Sequence, residues 1–478
     1  MTDPAIAYDD VQGTILRGYR VDLARHFILR ITDALGAAAL IAKLVDGADG
    51  LPPVTTAQRM RPKPACFLNL SFSASGLAAL GLSSPQLATF DAAFQRGATN
   101  PSTATTVGDV GASAPDTWIG GLADGTQVHV VLSIWVDDDR AVLESVSTRL
   151  RAAFAGCMTE LSAHDAQALP DNKIHFGYRD SIAQPTVIGA PPRKHAIPDD
   201  QPAVATGEFL LGYPNESGGT YSVQPAELST NASYAAFRIL EQDVAGFEDF
   251  LRVYAAQAGI SSEMLAAKVC GRWRNGNPLE LMPDSAGSVL PVDQLNNFTY
   301  VNTADPAQSD TLGLKCPIGS HIRRNNPRNA AVVGTDSTHH RIVRRAMPYG
   351  PPYDPARPDT PPRGLVGFFI NASISNQFEF LTSQWNDQSD FVKSATGPGG
   401  SSAGNAVYNI SGEDVFLGVN DPQDSFFTLP APGAKGANNT VLKGFTRTIT
   451  TRGGVYCFFP SISGLRYLAG LAGGAAGG

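Results

Sequence analysis

Three short segments concentrate the side chains able to do chemistry. The first runs from His175 to Pro185 (HFGYRDSIAQP) and puts Asp180 at the end of an aromatic run, just before a turn. A carboxylate there could sit at a pocket mouth and exchange protons; Asp at such a junction also commonly caps the next helical turn. The second, KCPIGSHIRRNNPRN over 315–329, sets His321 ahead of Arg323, Arg324 and Arg328 in a Gly/Pro frame. A neutral imidazole is a good ligand for iron, and neighbouring guanidinium groups can pair with carboxylates such as haem propionates. A lone histidine can equally be a surface or structural residue. The third, HHRIVRRAMPYG over 339–350, carries Arg344 and Arg345 between an apolar run and a Pro-Tyr-Gly turn. Arginine stays protonated in any pocket and can stabilise charge growing on an oxygen, unless the pair is simply solvated.

The rest of the chain narrows the field. No P-loop, HExxH, EF-hand loop or GxSxG elbow occurs, so the common nucleotide and hydrolase signals are missing. At roughly 150 residues per domain, 478 residues imply two or three domains or two large lobes. An apolar share of 43% and a charged share of 17% supply sizeable cores and exclude wholesale disorder. The 48 Gly and 34 Pro point to long ordered loops. A net charge of −8 disfavours nucleic acid as a partner. No apolar run approaches the roughly 18 residues a spanning helix needs, so no membrane is expected. The N-terminal MTDPAIAYDDVQG lacks a basic stretch leading into an apolar one. A cytoplasmic location is therefore expected, with non-classical export left open. The cysteines (66, 157, 270, 316, 457) form no CxxC or CxxCH pair, which removes covalent c-type haem and cysteine-held clusters.

These side chains need elements to hold them. HFILRIT (26–32), CFLNLSF (66–72) and VHVVLSIWV (128–136) read as strands. Helices are expected near 37–45, after a Ser73 or Ser75 cap, and over 141–156 on the Val142, Val146, Leu150, Phe154 spacing. With a closing strand near Lys173–Phe176, the pattern predicts a ferredoxin-like α+β unit. The second half repeats the plan, with strands at 232–243, 364–373 and 455–461 and a helix over 244–259. The FLNLSFSASGLAAL and CFFPSISGLRYLAG segments echo each other, which suggests duplication. The expected organisation is an N-terminal lobe over 1–200 carrying the Asp180 loop and a C-terminal lobe over 201–478. Residues 185–205 read as the inter-lobe connection, 347–363 as a rigid extended loop and GLAGGAAGG as a flexible tail.

Together the three segments resemble the signature set of the dye-decolorizing peroxidases. Gly177-Tyr178-Arg179-Asp180-Ser181 is similar to the family's GxxDG, Cys316–Arg328 to its proximal-histidine segment, and Arg344–Gly350 to its distal-arginine segment. DVQGTILRGY, QFEFLTSQW and TTRGGVYCFFPSISGLR are also typical, so the resemblance spans nearly the whole chain in order. Two positions depart: Ser181 stands for the motif's last Gly, and Ala346 for an Asn found in some relatives.

The resemblance implies two ferredoxin-like lobes of the dimeric α+β barrel type, with antiparallel sheets and peripheral helices. It implies non-covalent haem b (iron protoporphyrin IX), with His321 as axial iron ligand and Glu379 as the candidate partner of its other nitrogen. Arg323, Arg328, Arg344 and Gln184 would face the cofactor. Asp180 would be the distal acid–base and Arg344 would stabilise charge, with hydrogen peroxide as oxidant, a ferryl haem as product, and a bulky aromatic, dye or phenolic reductant. Bulky dyes would hand electrons to a surface aromatic, with Trp118, Trp135, Trp273 and Trp385 as candidates among others. Because a carboxylate beside a guanidinium stays ionised in acid, an acidic optimum is expected. The alternatives are a chlorite-handling or porphyrin-decarboxylating relative, a haem carrier with little turnover and a haem-free structural relative. A carrier would need His321 but no poised Asp180 and Arg344. The oligomeric state stays open between monomer and homodimer.

Overall fold

Ten strands and eleven α-helices, most of the helices short, are found among the described residues of a computed structural model, which are 5–191, 201–330, 337–356, 361–390, 411–433 and 437–474. The expected connection over 185–205, the loop over 347–363 and the C-terminal tail each fall partly outside these residues. The first half contributes β1 (Leu23–Ile31), α1 (Ala34–Asp46), β2 (Cys66–Phe72), β3 (Val130–Val136), α2 (Arg140–Phe154) and β4 (Met158–Gln167). The second contributes β5 (Ser233–Gln242), α3 (Val244–Ala258), α4 (His321–Asn325), β6 (Val343–Tyr349), β7 (Gly364–Asn371), the hairpin β8 (Phe426–Leu429) and β9 (Thr440–Lys443), β10 (Ile449–Phe459) and α5 (Ile462–Gly474).

Sheet order makes the duplication explicit. The main sheet reads β4-β1-β3-β2-β10-β5-β7-β6, so each half has its strands in the order fourth, first, third, second. That is the ferredoxin-like arrangement, made twice, with all ladders antiparallel. The outer strands β4 and β6 lie against each other, which curls the sheet into a barrel. One apolar core draws on both halves, including Phe27, Phe72, Phe237 and Phe458.

Helix boundaries follow local chemistry. Asp33 caps α1 by accepting from Leu35 N and Gly36 N, and Gly47 ends it in the left-handed conformation at φ +67°. Asp139 and Asp243 cap α2 and α3.

Two expectations are corrected. The closing strand of the first half is β4, not Lys173–Phe176, which lies in a turn. β4 is an edge strand with few buried positions, so its apolar signal is weak. The aromatics at 176 and 178 are apolar because they pack on Phe247 and Phe416. The echo of FLNLSFSASGLAAL in CFFPSISGLRYLAG is also not the repeat itself. It matches β2, second strand of its half, to β10, fourth strand of the other. Both strands lead into a helix whose serine caps a glycine N–H, Ser73 on Gly76 and Ser461 on Gly464, each at 3.0 Å.

Beside the end of β7, where its carbonyl accepts from Ala372 N, Glu208 is 1% exposed and its Oε2 has no hydrogen-bond partner among the described residues. Burial, helped by Glu216, pushes its carboxyl up to about 7. A raised folded-state value means stability is full below the unfolded value of about 4.5 and is lost as pH climbs through 7. Glu208→Gln should therefore stabilise the protein at pH 8 by about 1–3 kcal/mol and change little at pH 4. Thermal unfolding at both pH values checks this; equal shifts at the two would contradict it.

Candidate active site

His321 is the first residue of α4, directly after Ser320, and its ring is partly open, with 25% of the side chain exposed. Nδ1 donates to Asp414 Oδ2 at 2.9 Å, and the Phe416 ring meets the imidazole edge-on at 5.5 Å. Asp414 is fully buried; its Oδ1 accepts from Phe416 N at 2.8 Å and Leu417 N at 3.0 Å. Burial alone would raise its carboxyl, but His321, Arg324 and the Leu417 N–H together hold it below the usual carboxylate range. An ionised acid on Nδ1–H fixes the imidazole tautomer and leaves Nε2 as the basic lone pair, without a hydrogen bond among the described residues.

Arg324 builds this wall. Residues three apart share a helix face, so Arg324 lies beside His321 while Arg323 points away. Arg324 donates to the carbonyls of Gly319, Trp385, Asn386 and Gly412 and to Ser411 Oγ, at 2.6–3.2 Å. It thereby ties α4 to the loops carrying Asn386 and Asp414. Burial pulls its guanidinium down to about 10, opposed by Asp414.

The other half of the site is a loop held against a strand. Asp180 N donates to Asn172 O at 2.8 Å, and Gly177 turns the chain at φ +85°. Arg344, on β6, donates from Nη2 to Ala183 O at 2.8 Å and brings Nη1 to 3.9 Å from Asp180 Oδ1. That separation is an ion pair but not a hydrogen bond. Each side chain is about two-fifths exposed, 39% and 41%, so both keep bonding capacity for a small polar molecule. Tyr178 packs edge-on against Phe416 at 5.8 Å, so the Asp180 loop and the His321 wall share an aromatic contact. His175 Nε2 reaches Tyr349 O at 2.8 Å, a second tie from this loop to β6. Burial lowers the His175 value, opposed by the bond to Tyr349 O.

Ser181 occupies the motif's glycine position at φ +61° and is exposed. A side chain in the left-handed region costs about 1 kcal/mol or slightly more. Ser181→Gly should raise stability by about 1 kcal/mol; a lower melting temperature would contradict the strain argument.

Several expected roles fall away. Glu379 is not the partner of His321: its Oε2 accepts from Arg96 at 2.9 Å and its Oε1 from Tyr456 OH at 3.1 Å. Arg323 is fully buried on Asp310 and the Cys316 carbonyl, 4.1 Å from the Tyr300 ring centre, and has no reach toward a ligand at His321. Arg328 is spent on Asn296 and the Phe298 carbonyl, with its guanidinium 3.7 Å over the Phe298 ring. The Gln184 amide is occupied by the main chain of Arg344. Trp118, Trp135, Trp273 and Trp385 are all 3–5% exposed, so none presents a surface ring. Asp414 was the residue missed, and Arg324, noted beside His321 as a possible partner of cofactor carboxylates, instead holds the loops of this wall. Arg324 stood beside the histidine in the right helical spacing; Asp414, 93 residues on, carried no local signal.

Comparison with known proteins identifies the family. Residues 10–170 match the family described as the DyP dimeric alpha+beta barrel domain. Peroxidase 2 of Mycetinis scorodonius is 30% identical, over 96% of this chain and 86% of that protein. A dye-decolorizing peroxidase of Mycena epipterygia is also 30% identical, over 98% of this chain and 88% of that one. The crystal structure of a fungal DyP-type peroxidase from Auricularia auricula-judae superposes with a TM-score of 0.79 at 26% identity, covering 98% of this chain and all (100%) of that one. The chain thus belongs to the dye-decolorizing peroxidases and is a haem-dependent enzyme that oxidises aromatic substrates with hydrogen peroxide.

Proposed function

We propose that His321 Nε2 binds the iron of a non-covalent haem b, and that Asp180 and Arg344 manage the protons and charge of hydrogen peroxide. The donor set fits the cofactor: an imidazole with Nδ1–H on a buried carboxylate and Nε2 uncommitted among the described residues suits an iron that must stay electron-rich. When bound, the haem supplies the iron and the electrons that reduce the O–O bond.

The chain's own residues do the rest. Asp180 accepts the proton from one oxygen of peroxide and delivers it to the other, which leaves as water. Arg344 stabilises the negative charge that grows on the departing oxygen. Its bond to Ala183 O aims the guanidinium while leaving Nη1 for the substrate. Asp414 keeps the imidazole in one tautomer, and Arg324 keeps Asp414 in place. Ala346 offers no polar group two residues beyond Arg344, so the charge work rests on Arg344. We infer phenols as one reductant class; a solved dye-decolorizing peroxidase 26% identical to this chain was determined with 2,6-dimethoxyphenol.

The observation that carries the reading is Asp180 and Arg344 held 3.9 Å apart, both half-open, in a chain that also holds His321 on Asp414. A haem carrier has no use for that pair. Haem-loaded protein given peroxide and 2,6-dimethoxyphenol should turn over. Haem binding without turnover would favour the carrier instead.

A further inference from the structure

We propose that Gln184 is a positioning residue for the peroxide step, fixing Arg344 relative to Asp180 through a main-chain clamp that the fold uses twice. This rests on the assignment of Asp180 and Arg344 above. Gln184 Oε1 accepts from Arg344 N at 3.1 Å and its Nε2 donates to Arg344 O at 3.1 Å. One side-chain amide thus satisfies both main-chain groups of one residue, as a neighbouring strand would. The other edge of β6 is taken by β7, where Arg344 lies opposite Phe369.

The same device stands at the related place in the first half. Gln12 Oε1 accepts from Leu70 N at 3.0 Å, and its Nε2 donates to Leu70 O at 2.8 Å. Leu70 lies on β2, Arg344 on β6, and each is the second strand of its half. Each of these strands meets the other half at a seam with few or no ladder bonds. β2 touches β10 through the single register pair Phe72 and Phe458, and β6 lies against β4. Gln12 precedes β1 and Gln184 precedes β5, the first strands of the two halves. The local sequences share the glutamine and a threonine two residues later: Val11-Gln12-Gly13-Thr14 and Ala183-Gln184-Pro185-Thr186.

The loop bearing Asp180 therefore corresponds to the N-terminal segment of the first half, and its glutamine is a duplicated seam clamp. At Leu70 the clamp holds a side chain with no chemistry. At Arg344 it sets the height of the guanidinium beside the carboxylate four residues ahead of Gln184. Displacing reacting groups by about 1 Å can cost about 100-fold in rate, so the clamp at 344 acts on catalysis and the clamp at 70 does not.

The test compares haem-loaded wild type with Gln184→Met, Gln12→Met and Asp180→Asn. In Gln184→Met, hydrogen exchange at the Arg344 amide should speed up at least tenfold. Its rate constant with peroxide should fall at least tenfold, while KM for 2,6-dimethoxyphenol holds within twofold. Gln12→Met should lower thermal stability yet keep the peroxide rate within twofold. If Gln184→Met does not fold, Gln184→Glu keeps the shape and the acceptor oxygen but loses the donor when ionised; at neutral pH it should show an intermediate fall. A wild-type peroxide rate in the Gln184 variant, with Asp180→Asn slowed, overturns the clamp and leaves the site standing. Equal falls in the Gln184 and Gln12 variants mean general loosening and also overturn it. An unchanged rate in Asp180→Asn removes the underlying site assignment instead.

Discussion

Asp180→Asn is expected to lower the rate constant with hydrogen peroxide by about 10²- to 10⁴-fold, the usual share of a positioned acid–base group, while haem stays bound. The amide keeps the size of the carboxylate and still accepts a weak hydrogen bond, but it cannot take the proton that one peroxide oxygen must give up. The loop should survive the change. Asp180 anchors it through its main-chain N–H on Asn172 O, not through its side chain. Arg344 keeps its bond to Ala183 O, so the guanidinium stays where it is. Rapid mixing of haem-loaded variant and peroxide measures the step directly. A loss under about threefold would mean that another group or a water carries the proton.

The second large effect is expected on the opposite wall. Arg324→Met should destabilise the protein by about 3–5 kcal/mol, the range for a buried charge network that loses one partner. The methionine fills much of the volume, but four carbonyls and Ser411 Oγ lose their donor in a site with no exposure. Asp414 also loses the cation 3.9 Å from its Oδ2. Because Arg324 ties α4 to the Asn386 and Asp414 loops, haem affinity should fall along with stability. Denaturant unfolding of the haem-loaded protein reads the first and a haem titration the second. A cost below about 1 kcal/mol would show that the loops hold themselves.

The sequence was informative wherever a local rule applied. The short apolar runs at β1, β2, β3 and β5, buried on both faces, and the capped helices α1, α2 and α3 follow from β-rich composition, amphipathic spacing and capping side chains. β4 was misplaced because an edge strand faces solvent on much of its length. Asp180, His321 and Arg344 stood out through residue type and setting, and the structure brings Arg344 to Asp180 and an acid to His321. The choice between Glu379 and Asp414 was not legible, since it depends on which of two distant buried carboxylates the chain returns to α4. Arg323 and Arg328 misled for a related reason. A buried guanidinium that stitches loop carbonyls has the same one-letter appearance as one awaiting a ligand. Gln184 shows the converse, a neutral side chain whose importance becomes visible only once its two partners are known to be one residue's main chain.

The most direct test of the whole account is haem binding by His321→Gly, with and without added imidazole. The variant should fold, bind haem at least about tenfold more weakly than wild type, and recover both affinity and the wild-type Soret position when imidazole fills the vacated space above Asp414. Unchanged affinity and an unchanged Soret band in the variant, with no response to imidazole, would show that the iron is held elsewhere.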